Sequence, residues 1–146
     1  MQRDTGVEEA VAGLVKAMQS GDGTAARDAL SRDLTAAIGT DDAEWWSGYD
    51  DSAAALAAQL DASGGLPFES GELRGYAEGD LGWFEDHGRI AIDAGPLPVR
   101  MTGVLRREEG GWRFLQLHVS VGTPNEDVGM ADLPVTRRGS APGGAA

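Results

Sequence analysis

The side chains best able to do chemistry fall in three places. Glu85, Asp86 and His87 form a compact run of two acids and an imidazole, the kind of set that moves protons as general acid or base. A second imidazole, His118, alternates with Gln116 and Ser120 along a segment whose intervening positions are apolar. Trp45, Trp46, Tyr49 and Trp83 are aromatics that could stack on a ligand or plug a cavity. Trp45 and Trp46 follow the cap pattern Asp41 with Glu44 and read as part of a helical turn, where adjacent side chains diverge by about 100° and at most one faces a cavity squarely. Gly88 follows the acid–imidazole run and marks a turn, so Glu85–His87 reads first as a solvated loop. Asp22 and the pairs Asp41-Asp42 and Asp50-Asp51 precede helix-like segments and are accounted for as caps. No catalytic residue is assigned.

Other chemistries are disfavoured by composition. There is no cysteine, which removes disulfides, thiolate ligands and thiol nucleophiles. His87 and His118 stand 31 residues apart, which is no zinc pattern. No EF-hand loop, phosphate-cradling glycine loop or GxSxG elbow occurs. The expectation is a protein with no metal and no cofactor. The net charge of −12 repels nucleic acid and anionic membrane surfaces, neither of which is an expected partner. No apolar run is long enough to span a bilayer, and no signal peptide is visible, so a soluble, cytoplasmic protein is expected.

The elements that must position these groups are legible in the hydrophobic pattern. The 146 residues suit one domain. Val7, Val11, Leu14, Val15 and Met18 make one stripe of a 3.6-residue period, with Thr5 and Glu8 as a capping box and Gly21 as the stop. A short helix after Asp22, a strand within Leu34 to Thr40, and a third helix over about 52–62 with Leu56 and Leu60 as its apolar edge follow. From Leu66 onward the pattern turns to strands, near 68–78, 80–86, 89–93, 97–107 and 112–121. Helices first and an antiparallel run afterwards argue an α+β fold with the helices on one face of a sheet. In the last two strands Val99, Met101 and Leu105 alternate with polar residues, as do Leu115, Leu117, Val119 and Val121. A bulge in the Glu108–Gly111 turn brings these into one apolar and one polar face. The tail from 134 to 146 is low in complexity and is expected to be disordered.

Four segments carry a family resemblance: SGDGTAARDAL (20–30), IGTDDAEWWSGYD (38–50), GDLGWFED (79–86) and VRMTGVLRREEGGWRFLQLHVSVGTPNED (99–127). Over roughly residues 5–133 the chain resembles the SnoaL-like branch of the nuclear-transport-factor-2-like superfamily, and is similar to the association domain of calcium/calmodulin-dependent kinases. The resemblance implies a bent antiparallel sheet wrapped around N-terminal helices as a cone, a pocket inside it, and a homodimer. The superfamily hosts enzymes, assembly hubs and binders, so the fold alone does not select an activity. The kinase hubs present buried arginines to the pocket; Gly103 and Val119 occupy the matching positions here, which argues against an anionic pocket.

The resulting expectation is a small-molecule-binding protein with an apolar pocket whose wall includes Trp45, Tyr49, Trp83, Met101 and Val119. A small uncharged hydrophobic ligand suits such a wall, with the Tyr49 hydroxyl and Trp83 indole as polar handles. Arg100, Thr102, Gln116 and His118, on the opposite face, read as a dimer contact. Two alternatives stand beside this: a cofactor-free lyase, isomerase or cyclase using Glu85 or Asp86 as base, and an assembly module.

Overall fold

The computed structural model describes residues 1–135. A two-residue strand, β1 (Gln2–Arg3), leads into α1 (Thr5–Ser20), and the Val7, Val11, Leu14, Val15 and Met18 stripe is buried as its period requires. Full burial of a side chain such as Val7 or Leu14 stabilises by about 1.5–3 kcal/mol. The cap is Asp4 rather than Thr5: its carboxylate accepts the Val7 N–H at 2.9 Å. Glu8 does not close a capping box. It accepts the Gly75 N–H at 3.1 Å and pairs with Arg3. Those donors, Gly75 first, hold its carboxyl below the ordinary value.

The chain continues through α2 (Gly23–Asp28), β2 (Ala36–Ile38), β3 (Trp45–Ser47), α3 (Gly48–Ser63), β4 (Phe68–Glu69), β5 (Arg74–Glu78), β6 (Leu81–Ile90), β7 (Leu97–Glu108) and β8 (Gly111–Val121). The sheet order is β1-β5-β6-β7-β8-β2-β3, with β4 paired to β6. The fold is α+β: an open, curved sheet wraps the helices as a cone. It is not antiparallel throughout, because β2 runs parallel to β8, Ala37 opposite Leu117.

Four local expectations change. Trp45 and Trp46 lie in a strand, because Gly39 N–H bonds the Glu44 carbonyl at 2.9 Å and Ala37 pairs with Trp46, closing a β2–β3 hairpin. The third helix begins at Gly48, with φ 79°, rather than near residue 52. Gly88 is no turn; it sits inside β6, where a Cβ would lie 2.4 Å from the Glu69 carbonyl oxygen. Its role is to admit the strand that crosses there, so 81–90 is one strand and Glu85–His87 is not a loop. Finally, the bulge is at Leu115, inside β8, where the register shifts between Val104 opposite Gln116 and Leu105 opposite Phe114. Trp112 and Phe114 are large, even-numbered and buried, whereas Leu117 is odd-numbered and buried. Only a parity change within the strand puts all three inside.

The core sits where α1 meets β5–β8. Phe84 and Phe114 pack edge to face, centroids 5.8 Å apart, a favoured aromatic geometry. Gly103 makes the space: a Cβ there would lie 2.7 Å from the Phe84 ring and 2.5 Å from the Gln116 carbonyl oxygen. On the rim, Arg106 bonds Asp33 and Glu108, each at 2.7 Å, and the buried Ser31 hydroxyl donates to Glu108 at 2.6 Å. This ties the α2–β2 loop to the β7–β8 hairpin. Apart from Pro134 and Val135, the 134–146 tail lies outside the described residues.

Candidate functional site

Away from that core the helices do not fill the sheet. A cavity of about 440 Å³ lies between α3 and the β2–β3–β8 side of the cone. Leu56, Leu66, Trp46, Leu117 and Val119 are among its apolar lining, and Met18 and Phe68 join it to the core. The helix contributes Ser52, Leu56, Gln59 and Ser63, spaced i, i+4, i+7 and i+11 along one face. Three of these four side chains are polar, and Leu56 is the apolar one.

Period two decides the contribution of β3. Trp46 faces the cavity across from Ala37 and Leu117, while Trp45 points to the other side and is 66% exposed. Glu44, two residues before Trp46, also lines the cavity. Its carboxylate accepts the Gln59 side-chain N–H at 3.0 Å and the Asp41 backbone N–H at 3.3 Å. A Cβ on Gly39 would lie 2.1 Å from that carboxylate, so glycine is what lets the acid lie against the β2 backbone. The hydroxyls nearby are engaged: Ser52 donates to the Trp46 carbonyl at 3.3 Å and Ser63 to the Gln59 carbonyl at 2.7 Å. Among the described residues, none that lines the cavity is lysine, arginine or histidine.

Of the five side chains expected on the wall, Val119 lines this cavity and the other four do not. Met101 is fully buried in the core beside Asp86. Trp83 occupies an odd position of β6, which faces away from α1, and stacks on Tyr76 with centroids 6.0 Å apart. Tyr49, in the first turn of α3, lies under the Arg32 guanidinium, 4.2 Å from its ring centroid. Trp45 is on the outer side for the strand-parity reason given above. Beyond the expected five, Glu44, Trp46, Leu56, Gln59 and Leu117 also line the cavity. The sequence signals were the i, i+4, i+7, i+11 stripe on α3 and the Glu44/Trp46 alternation, which the helical reading of 45–46 obscured.

The remaining candidates lie elsewhere. Arg100, Thr102, Gln116 and His118 share the outer face of β7 and β8, all exposed, with Thr102 directly opposite His118. An open groove on that face is bordered by Glu72, Arg74, Glu85, His87, Arg100 and Thr102. Glu85 faces out, with Arg74 at 3.9 Å. Asp86 faces in and is only 3% exposed. Ser70 donates its hydroxyl to one carboxylate oxygen at 2.7 Å and Gly71 its N–H to the other at 3.0 Å. Asp86 thus clamps the β4–β5 connection to β6, and it is not part of the cavity wall. Among the described residues no three or more His, Asp or Glu side chains are grouped to hold a metal ion, and no helix is long and apolar enough to cross a membrane.

A model of the SnoaL-like domain matches residues 7–124. No protein of curated function matches the sequence. Solved structures with the same fold include a nuclear-transport-factor-2-like protein of unknown function from Pseudomonas putida KT2440, at 20% identity and TM-score 0.74, covering 84% of this chain and 89% of that one. A proposed dehydratase of the same superfamily from Streptomyces avermitilis is 18% identical with TM-score 0.71, covering 84% of this chain and 100% of its own. A proposed calcium/calmodulin-dependent protein kinase type II association domain from Thiobacillus denitrificans ATCC 25259 is 22% identical with TM-score 0.68, covering 80% and 94%. At these identities the likeness is one of fold.

Proposed function

The chain belongs to the SnoaL-like domain family, and we propose that it binds a small, largely apolar molecule in the cavity between α3 and the sheet. The observation that carries this reading is the cavity itself. Its volume of about 440 Å³ falls in the range of small-molecule sites, roughly 300–1,000 Å³. Its wall is mainly aliphatic and aromatic, with a small group of polar side chains at one place. With no basic side chain on the wall among the described residues, a carboxylate or phosphate would be desolvated without a partner there, which favours an uncharged or cationic ligand. A base role for Glu85 or Asp86 draws no support from the geometry: one faces away from the cavity, and both oxygens of the other are already bonded.

The test is calorimetric titration with 1-adamantanol, a compact apolar alcohol. The wild type should bind it, and Val119→Trp, which fills the cavity, should abolish binding while leaving the fold intact by circular dichroism. Undiminished binding by the filled variant would sink the reading.

A homodimer through the outer face of β6–β8 accompanies this function. Supporting it are the exposed polar ladder of Arg100, Thr102, Gln116 and His118 and the half-buried Trp83 and Val104 beside it. Sedimentation at micromolar concentration should give twice the 15.2 kDa chain mass, and Thr102→Arg should give the monomer. A wild-type monomer would remove the dimer and leave the cavity reading standing.

A further inference from the structure

The polar corner of the cavity has an uneven supply of hydrogen-bonding groups. The hydroxyls of Ser52 and Ser63 already donate to backbone carbonyls. The Gln59 amide must turn its nitrogen toward Glu44, because an ionised carboxylate only accepts. That orientation directs the amide oxygen away from Glu44, and among the described residues it accepts no hydrogen bond. The Glu44 carboxylate takes two N–H groups and retains acceptor capacity, since its two oxygens offer about four lone-pair sites. The corner therefore presents the open acceptor sites of a carboxylate, beside the second Gln59 N–H and the Thr40 hydroxyl. Trp46 lies two residues along the same strand face, and an indole face attracts a cation.

We propose that Glu44, steadied by Gln59, is the specificity residue of the cavity, and that it selects a ligand with an apolar body and a protonated amine. The proposal rests on the binding function above and names its ligand class. An ammonium donates to the acceptor sites left on Glu44 and pairs with its carboxylate, which the aliphatic and aromatic wall cannot do. A hydrogen bond between two ionised groups is roughly twice as strong as a neutral one. An alcohol on the same skeleton would bind more weakly, and a carboxylate would be rejected by like charge.

The experiment compares 1-adamantylamine, 1-adamantanol and 1-adamantanecarboxylate at neutral pH by calorimetry, on wild type, Glu44→Gln and Gln59→Leu. The wild type should prefer the amine over the alcohol by about tenfold or more, with no binding of the carboxylate. Glu44→Gln keeps the shape and should lose the amine preference while still binding the alcohol. Gln59→Leu should weaken the amine more than the alcohol. If amine and alcohol bind wild type equally, or Glu44→Gln keeps the preference, the amine proposal is overturned and the cavity reading survives. If none of the three compounds binds wild type, the cavity reading itself falls and takes this proposal with it.

Discussion

The α1 half and the α3 half of the molecule use one sheet in opposite ways. Under α1, the sheet is cut back to glycine at Gly82 and Gly103, so that Val7, Phe84 and Trp112 close the space completely. Under α3, the facing strands carry side chains at Ala37, Trp46 and Leu117, yet the helix turns a stripe made mostly of serine and glutamine toward them. A fully apolar stripe would draw the helix down onto the sheet. The mostly polar one is held by its own bonds to β3 and the residue before it, Ser52 to the Trp46 carbonyl and Gln59 to Glu44, and the cavity is the space those bonds span. Close packing stabilises the fold in one half, and its absence in the other leaves room for a ligand.

This contrast is sharpest in mutational cost. Phe114→Ala, in the closed half, should destabilise by about 3–5 kcal/mol in urea denaturation, as for a fully buried aromatic. Gly103→Ala should cost about 1–3 kcal/mol by overpacking, because a backbone oxygen stands in the way and cannot step aside cheaply. Leu56→Ala, in the open half, should cost under about 1 kcal/mol, well below a core leucine, since part of its surface already borders empty space. A Leu56→Ala cost equal to that of Leu14→Ala would mean the two halves are packed alike, and the contrast would fail.

The smallest effect concerns pH and belongs to the rim of the closed half. The Ser31 hydroxyl first, and then Arg106, hold the Glu108 carboxyl below its ordinary value near 4.5. A carboxyl lowered in the folded state contributes stability that is fully present above its unfolded value and is lost as pH falls through the folded one. Stability measured from pH 6 downward should therefore begin to fall near pH 4.5, and Ser31→Ala should flatten that fall by letting Glu108 titrate closer to its ordinary range. An unchanged acid slope in the variant would remove Ser31 as the cause.

The same contrast explains what could be read from residues alone. The α1 stripe is apolar at every inward position, so its period was plain, and the α+β order and family resemblance followed from it and from the strand run. The site was harder because its evidence is mixed by construction. An inward helical face with Ser52, Gln59 and Ser63 looks solvated until the sheet is placed above it. Trp45-Trp46 looked helical because the cap pattern at Asp41 and Glu44 forms a real turn, with Asp41 accepting the Ala43 N–H, but the hairpin starts immediately after it. Gly88 looked like a turn because a crossing strand and a turn both demand glycine. Asp86 looked solvated for the same reason, and only the paired bonds from Ser70 and Gly71 show it as an internal clamp.

The central claim is that the α3 half receives a small molecule and the α1 half does not. Backbone amide shifts of the ¹⁵N-labelled protein, followed during titration with 1-adamantanol, test it directly. The predicted result is saturable shifts confined to residues 37–46, the 52–63 face of α3 and 117–119, with Gly82, Phe84, Gly103 and Phe114 unmoved. Shifts centred on the outer face around Thr102 and His118, or no saturable shift at all, would contradict it.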